Sequence, residues 1–217
     1  MNIYSIASAV ATLFCFVLGT LIFIGGFWRS DRRTFGFATI LTGIWTSFPF
    51  LLSVAPSDKA ALFTARLLCM VAAFVPVAWL CFMMTVISPE RTPARKIARV
   101  LSFATGFLFA LFAFSSSFIH GTKRFAPYFA VEPGFLFAWF IVAFICIFAY
   151  VVGCVIHEYR ATTGIKKNQM LYIGLAYGLG FFSGALHFGA AYLRVEPFPH
   201  DFLIIGYVST IAYAVVR

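Results

Sequence analysis

The chain has 217 residues, of which 62% are hydrophobic and 11% charged, with a mean hydropathy of +0.96. Soluble domains carry about a quarter charged residues, so lipid rather than water must solvate most of this surface, and a soluble enzyme or binding domain is excluded. The net charge of +9 would suit nucleic acid, but no basic run is interleaved with aromatics in a soluble element, so no nucleic-acid partner is expected.

Seven apolar runs, 3–28, 35–54, 61–87, 97–118, 135–156, 170–192 and 202–216, come close to the about 20 residues that cross a bilayer core as a helix. The loops between them are short, so residues 1–217 read as a single all-α domain, an integral membrane bundle of seven transmembrane helices. The first run lacks a basic leader and is too long for a signal peptide, so it is expected to be a true span. It ends at Gly25-Gly26, which either brings helices close or frays the end, and turns through the basic anchor 29–34.

The third run carries Arg66 about five residues inside one end and Pro76 near its centre. Proline lacks the N–H and its ring clashes with the preceding turn, which predicts a kink; the kink serves either shape alone or a hinge. A cation inside a span is costly unless its stem lets the head reach the interface. Snorkelling and a ligand or partner contact both stand for Arg66, with Asp58 two turns earlier as a local partner.

Segment 119–134, between runs four and five, mixes His120, Lys123, Arg124 and Glu132 with Phe125, Tyr128 and Phe129. It reads as an interfacial loop with aromatic anchors or as a lid over the mouth of the bundle. In the sixth run Ala176, Gly180 and Gly184 recur every fourth residue, as do Gly174 and Gly178. Such spacing lets a neighbouring backbone come close in lipid, and packing within the chain is expected rather than a dimer face. His187 falls about one turn beyond Gly184, at the depth of Arg66; it is either a hydrogen-bonded packing residue or a polar contact for a ligand. Tyr192 and His200, flanking the Pro-His loop before the last run, complete the candidate set at that end.

Eleven basic residues lie on one side: Arg29, Arg32, Arg33, Arg91, Arg95, Lys96, Arg99, Arg160, Lys166, Lys167 and Arg217. Five lie on the other: Lys59, Arg66, Lys123, Arg124 and Arg194. The positive-inside rule therefore puts the N-terminus outside and the C-terminus in the cytoplasm. The runs hold no Asp, Glu or Lys, which removes a proton relay, a carboxylate cation site and a retinal Schiff base. All five cysteines fall inside runs without metal spacing, so no disulfide framework and no metal site is expected. No phosphate loop, catalytic triad or paired carboxylates occur, so the chain has no catalytic residues and no cofactor is called for.

Ala65-Arg66, Pro76 and Phe82, then Pro133-Gly134, Gly164, Gln169, Tyr172, Gly174, Gly184, Pro197 and Tyr213-Ala214 resemble the N-terminal seven-transmembrane sensor region of bacterial membrane histidine kinases. The resemblance implies a multi-pass protein of the bacterial inner membrane belonging to a two-component system. It implies a last helix continuing into a cytoplasmic output domain: a dimeric kinase, in some members with a PAS module or a cyclase instead. The chain ends at Arg217, where that linker would begin, which fits a piece of a longer kinase or a free-standing relative. Kinase activity belongs to the parent, because His157, read as lying in a loop beside a span end, has no kinase helix around it.

The reading is a sensor input module. A cavity lined by spans three, six and seven takes an apolar or amphipathic signal on the outer side, Arg66 and His187 meet its polar head, and the last helix relays occupancy. A small transporter or channel would need broken helices, a repeat or mid-membrane polar groups; a non-catalytic partner regulating another membrane protein also fits.

Overall fold

Each apolar run becomes a helical rod, and the computed structural model describes residues 3–87, 92–125, 128–193 and 201–216. Among these, α1 (Ile3–Gly25) is followed by α2 (Ser30–Thr46) and the short α3 (Phe48–Ser53), then α4 (Asp58–Ala72), α5 (Val75–Ile87) and α6 (Pro93–Phe112). A hairpin of β1 (Ile119–Phe125) and β2 (Tyr128–Pro133) leads to α7 (Phe135–Ala161), α8 (Gly164–Leu193) and α9 (Asp201–Val216). Because α2–α3 and α4–α5 are each one broken rod, the described residues make seven passes, an all-α membrane bundle. Five rods are long and apolar enough to span a bilayer; α9 is apolar but shorter, and α6 opens with Arg95, Lys96 and Arg99.

The kink expected at Pro76 is present. Helix α4 ends at Ala72 and α5 restarts at Val75, with Pro76 in its first turn, where a missing N–H costs least. A second break, which the sequence reading did not single out, falls at Ser47 before Pro49. Backbone groups freed inside lipid must be paired within the protein. Ser8 on α1 does this: its hydroxyl donates to the Thr46 carbonyl and accepts the Phe50 N–H at 3.2 Å, while the Thr12 and Thr46 hydroxyls lie 3.1 Å apart. Ser8→Ala should therefore lower stability by about 1–3 kcal/mol, the cost of stranding a buried donor and acceptor. Thermal unfolding in detergent checks this, and an unchanged midpoint would show that the break is satisfied by other groups.

The closest helix approach is between α1 and α2 rather than along α8. A Cβ on Gly36 would lie 2.7 Å from the Gly19 carbonyl oxygen and 2.8 Å from the Phe23 nitrogen, so two backbones touch where only hydrogen atoms fit. Between α7 and α8 the chain reverses at Gly164, whose φ of 63° lies in the left-handed region that glycine enters at no steric cost. Helix α7 runs on to Ala161, so His157 is helical rather than in a loop, because Glu158, Tyr159 and Arg160 extend the helix beyond the apolar run.

Within segment 119–134, β1 and β2 pair antiparallel, Thr122 with Val131 and Arg124 with Phe129. The hairpin packs against α3, α4 and α8 through buried Ile119, Phe129 and Val131, so it caps one end of the bundle, opposite the basic loops.

A candidate ligand site among aromatic helices

The candidate site forms where the broken rod α4–α5 faces α8 and α9. At Pro76 the Ala72 carbonyl loses its helical donor, and Ala72, Val75, Pro76 and Trp79 form one wall of a cavity of about 40 Å³. Tyr177, Gly180, Phe181, Gly184 and Phe188 of α8 form the facing wall, closed by Tyr207 of α9, Phe144 and Phe148 of α7, and Trp45 of α2. Spans three, six and seven thus line it together with spans two and five.

Its walls are held by ring packing and one polar node. Phe181 stacks on Phe148 with centroids 3.6 Å apart, and Trp79 meets Tyr207 edge-on at 5.6 Å. The Trp79 indole Nε1 donates to the Thr42 hydroxyl at 2.9 Å, which donates onward to the Ala38 carbonyl at 2.9 Å. Helices α2 and α5 therefore meet at one hydroxyl. A node of satisfied polar groups in an apolar interior fixes ring orientation more sharply than packing alone.

The glycines of α8 serve these rings. A Cβ on Gly180 would lie 3.1 Å from the Tyr207 ring, and one on Gly184 would lie 3.4 Å from Phe144. Ala176 is buried. Gly180 and Gly184 thus face aromatic side chains of neighbouring helices rather than a backbone, whereas a Cβ on Gly174 would meet Val155 at 3.0 Å and one on Gly178 nothing within 4 Å.

The polar candidates lie nearer the hairpin. His187 sits between the Trp45 and Phe48 rings at 5.4 and 5.6 Å, and the Tyr4 hydroxyl is 3.5 Å from its Nδ1. Trp45 and Phe188, both touching His187, line the cavity, so the imidazole is one ring removed from it. Arg66 is half-buried and donates from Nη2 to the Ile119 carbonyl of β1 at 3.2 Å. Among the described residues no ion pair joins it to Asp58; the hairpin backbone, which the sequence did not reveal, takes that place. Arg66 and His187 engage different partners, and neither lines the cavity. Tyr192 belongs to α8, but its side chain, like His200, lies outside the described residues.

Sequence reasoning missed Trp45, Trp79, Tyr177 and Tyr207, which look like ordinary apolar positions in helices hydrophobic all round. It also began the last run at residue 202 and passed over Asp201. Asp201 opens α9 and is only 2% exposed, within electrostatic reach of Cys15 on α1.

The comparisons with known proteins agree with this architecture. A family model described as the N-terminal 7TM region of histidine kinase matches residues 7–217. The chain belongs to that family. No curated protein and no solved structure matches it. As a member of the seven-transmembrane region of histidine kinases, the chain is a multi-pass membrane sensor module, and the family name implies a parent kinase with a cytoplasmic output domain.

Proposed function

We propose that this chain is the input module of a bacterial two-component histidine kinase in the inner membrane, with the N-terminus outside and the C-terminus cytoplasmic as the eleven-to-five distribution of basic residues suggests. It senses an apolar or amphipathic molecule that enters among α5, α8 and α9 from the hairpin side. The observation that carries this reading is the size of the cavity together with the identity of its walls. About 40 Å³ holds only a few small atoms, whereas ligand pockets occupy about 300–1,000 Å³. A ligand can enter only by moving the rings, and one of those rings, Tyr207, belongs to α9.

Occupancy and displacement of α9 are then one event, and a ligand that binds only the expanded form shifts the population toward it. The far end of α9 is tied to α8 by Gln169, whose Nε2 donates to the Ala214 carbonyl at 2.6 Å, so a tilt at Tyr207 reaches the last turn before the output domain. Arg66 and His187 would meet an anionic or polar head near the hairpin, and the parent would act as a dimer. A channel is disfavoured by the apolar walls around the midplane.

The test joins the chain to a histidine-kinase output domain and follows autophosphorylation with long-chain carboxylic acids and alcohols. Arg66→Ala and His187→Ala should each raise the half-maximal concentration by about tenfold, the loss of one hydrogen bond to a charged or polar group. Unchanged responses in both variants would remove the polar mouth from the scheme.

A further inference from the structure

A second, larger groove opens on the lipid-facing side of the bundle, between α2, α4–α5 and α6. It encloses about 580 Å³, within the range of ligand pockets. Phe37 of α2 and Phe103, Phe107 and Leu111 of α6 form its outer walls, and Val71 and Ala78 its floor; Phe107 is 60% exposed. The lining is apolar except for Thr34 and Cys81 at the end nearer the basic loops.

That end is cationic. On α6, residues 99, 103, 107, 110 and 111 follow helical spacing and share one face, so Arg99 stands one turn beyond Phe103 in line with the groove. It lies within electrostatic reach of Cys81, is half-buried, and its buried Nε makes no hydrogen bond. Arg33, exposed, directly precedes groove-lining Thr34. Among the described residues neither Arg33 nor Arg99 forms an ion pair with a carboxylate. From Arg99 to Leu111 the helix rises about 18 Å, a little over half of a hydrocarbon core of about 30 Å: the depth of one leaflet, with the cations at its surface.

We infer that this groove is a site for one anionic phospholipid from the leaflet on the basic side, with an acyl chain between α2 and α6 and its phosphate held by Arg99 and Arg33. Guanidinium forks bind phosphate oxygens by charge-assisted, bidentate hydrogen bonds, and a basic juxtamembrane pocket attracts anionic headgroups. A zwitterionic lipid would add its own cation beside two others and gain less. The site is separate from the aromatic cavity and does not depend on the sensing proposal.

The test uses the full chain in phosphatidylcholine vesicles containing a trace of phosphatidylglycerol or phosphatidylcholine spin-labelled on the acyl chain, and reads the motionally restricted fraction by electron paramagnetic resonance. Phosphatidylglycerol should associate about tenfold more strongly than phosphatidylcholine. Arg99→Gln should abolish that preference, Val71→Trp should remove the restricted site for both lipids, and Arg160→Gln, an equal charge change on an exposed residue of α7 that does not line the groove, should leave the preference in place. Arg33→Gln, in an exposed position, gives a second reading should α6 tolerate no change at Arg99. Equal association of the two lipids with the unaltered chain, or equal losses in the Arg99 and Arg160 variants, would overturn the site in favour of unselective boundary lipid.

Discussion

Gly36→Leu is expected to unfold a large fraction of the protein. The added side chain must occupy space held by the Gly19 carbonyl and the Phe23 amide of α1, 2.7 and 2.8 Å from the new Cβ, and these are backbone atoms of a rigid helix. Overpacking a core costs about 1–3 kcal/mol when side chains can yield; here they cannot, so about 3 kcal/mol is the lower end. Against a total stability of about 5–15 kcal/mol, that should lower the melting midpoint in detergent by at least about 6–12 °C. Gly153→Leu is the matched control, because a Cβ there meets nothing within 4 Å and leucine is the better helix former. Equal melting of the two variants would mean that α1 and α2 do not pack as closely as described.

The second large effect is functional. Gly180→Leu fills the aromatic cavity and presses on Tyr207, whose ring would lie 3.1 Å from the new Cβ. Tyr207 cannot retreat freely, since Trp79 packs on it edge-on; the strain passes into α9. On the proposed scheme this variant binds apolar signal at least about 100-fold more weakly, a loss of about 2.7 kcal/mol. It also fixes the output of a joined kinase at one level whatever is added. Gly178→Leu, two residues away on the same helix, puts the same apolar group where a Cβ meets nothing within 4 Å and should leave binding intact. Equal behaviour of the two variants would separate the cavity from signalling.

These predictions draw unevenly on what the sequence discloses. Seven passes follow from hydropathy because lipid demands apolar surface over a fixed length, and Pro76 declares its break because it lacks an N–H. Pro49 carries the same signal, yet its break lies near a span end, where it is easily taken for an edge. The Gly19–Gly36 approach is invisible to a search within one helix, since it couples one glycine on each of two rods. Helical periodicity finds the α8 stripe but not what fills it; that the neighbours are Tyr207 and Phe144 is a matter of three-dimensional packing. In helices apolar on every side, no moment separates a cavity wall from a lipid face, so Trp45, Trp79 and Tyr207 carry no mark in the sequence. Arg66 and Asp58 look like a pair because they stand two turns apart, but the hairpin supplies a backbone carbonyl instead, and a two-stranded element among seven apolar runs leaves only a faint alternation.

The central claim is that the cavity between α5, α8 and α9 takes an apolar or amphipathic molecule. Native mass spectrometry of the gently purified chain, with extraction and identification of whatever stays bound, tests it most directly. The account predicts one defined apolar or amphipathic compound per chain, kept by Gly178→Leu and lost from Gly180→Leu. Only bulk lipid on the unaltered chain, or the same compound retained equally by both variants, would contradict it.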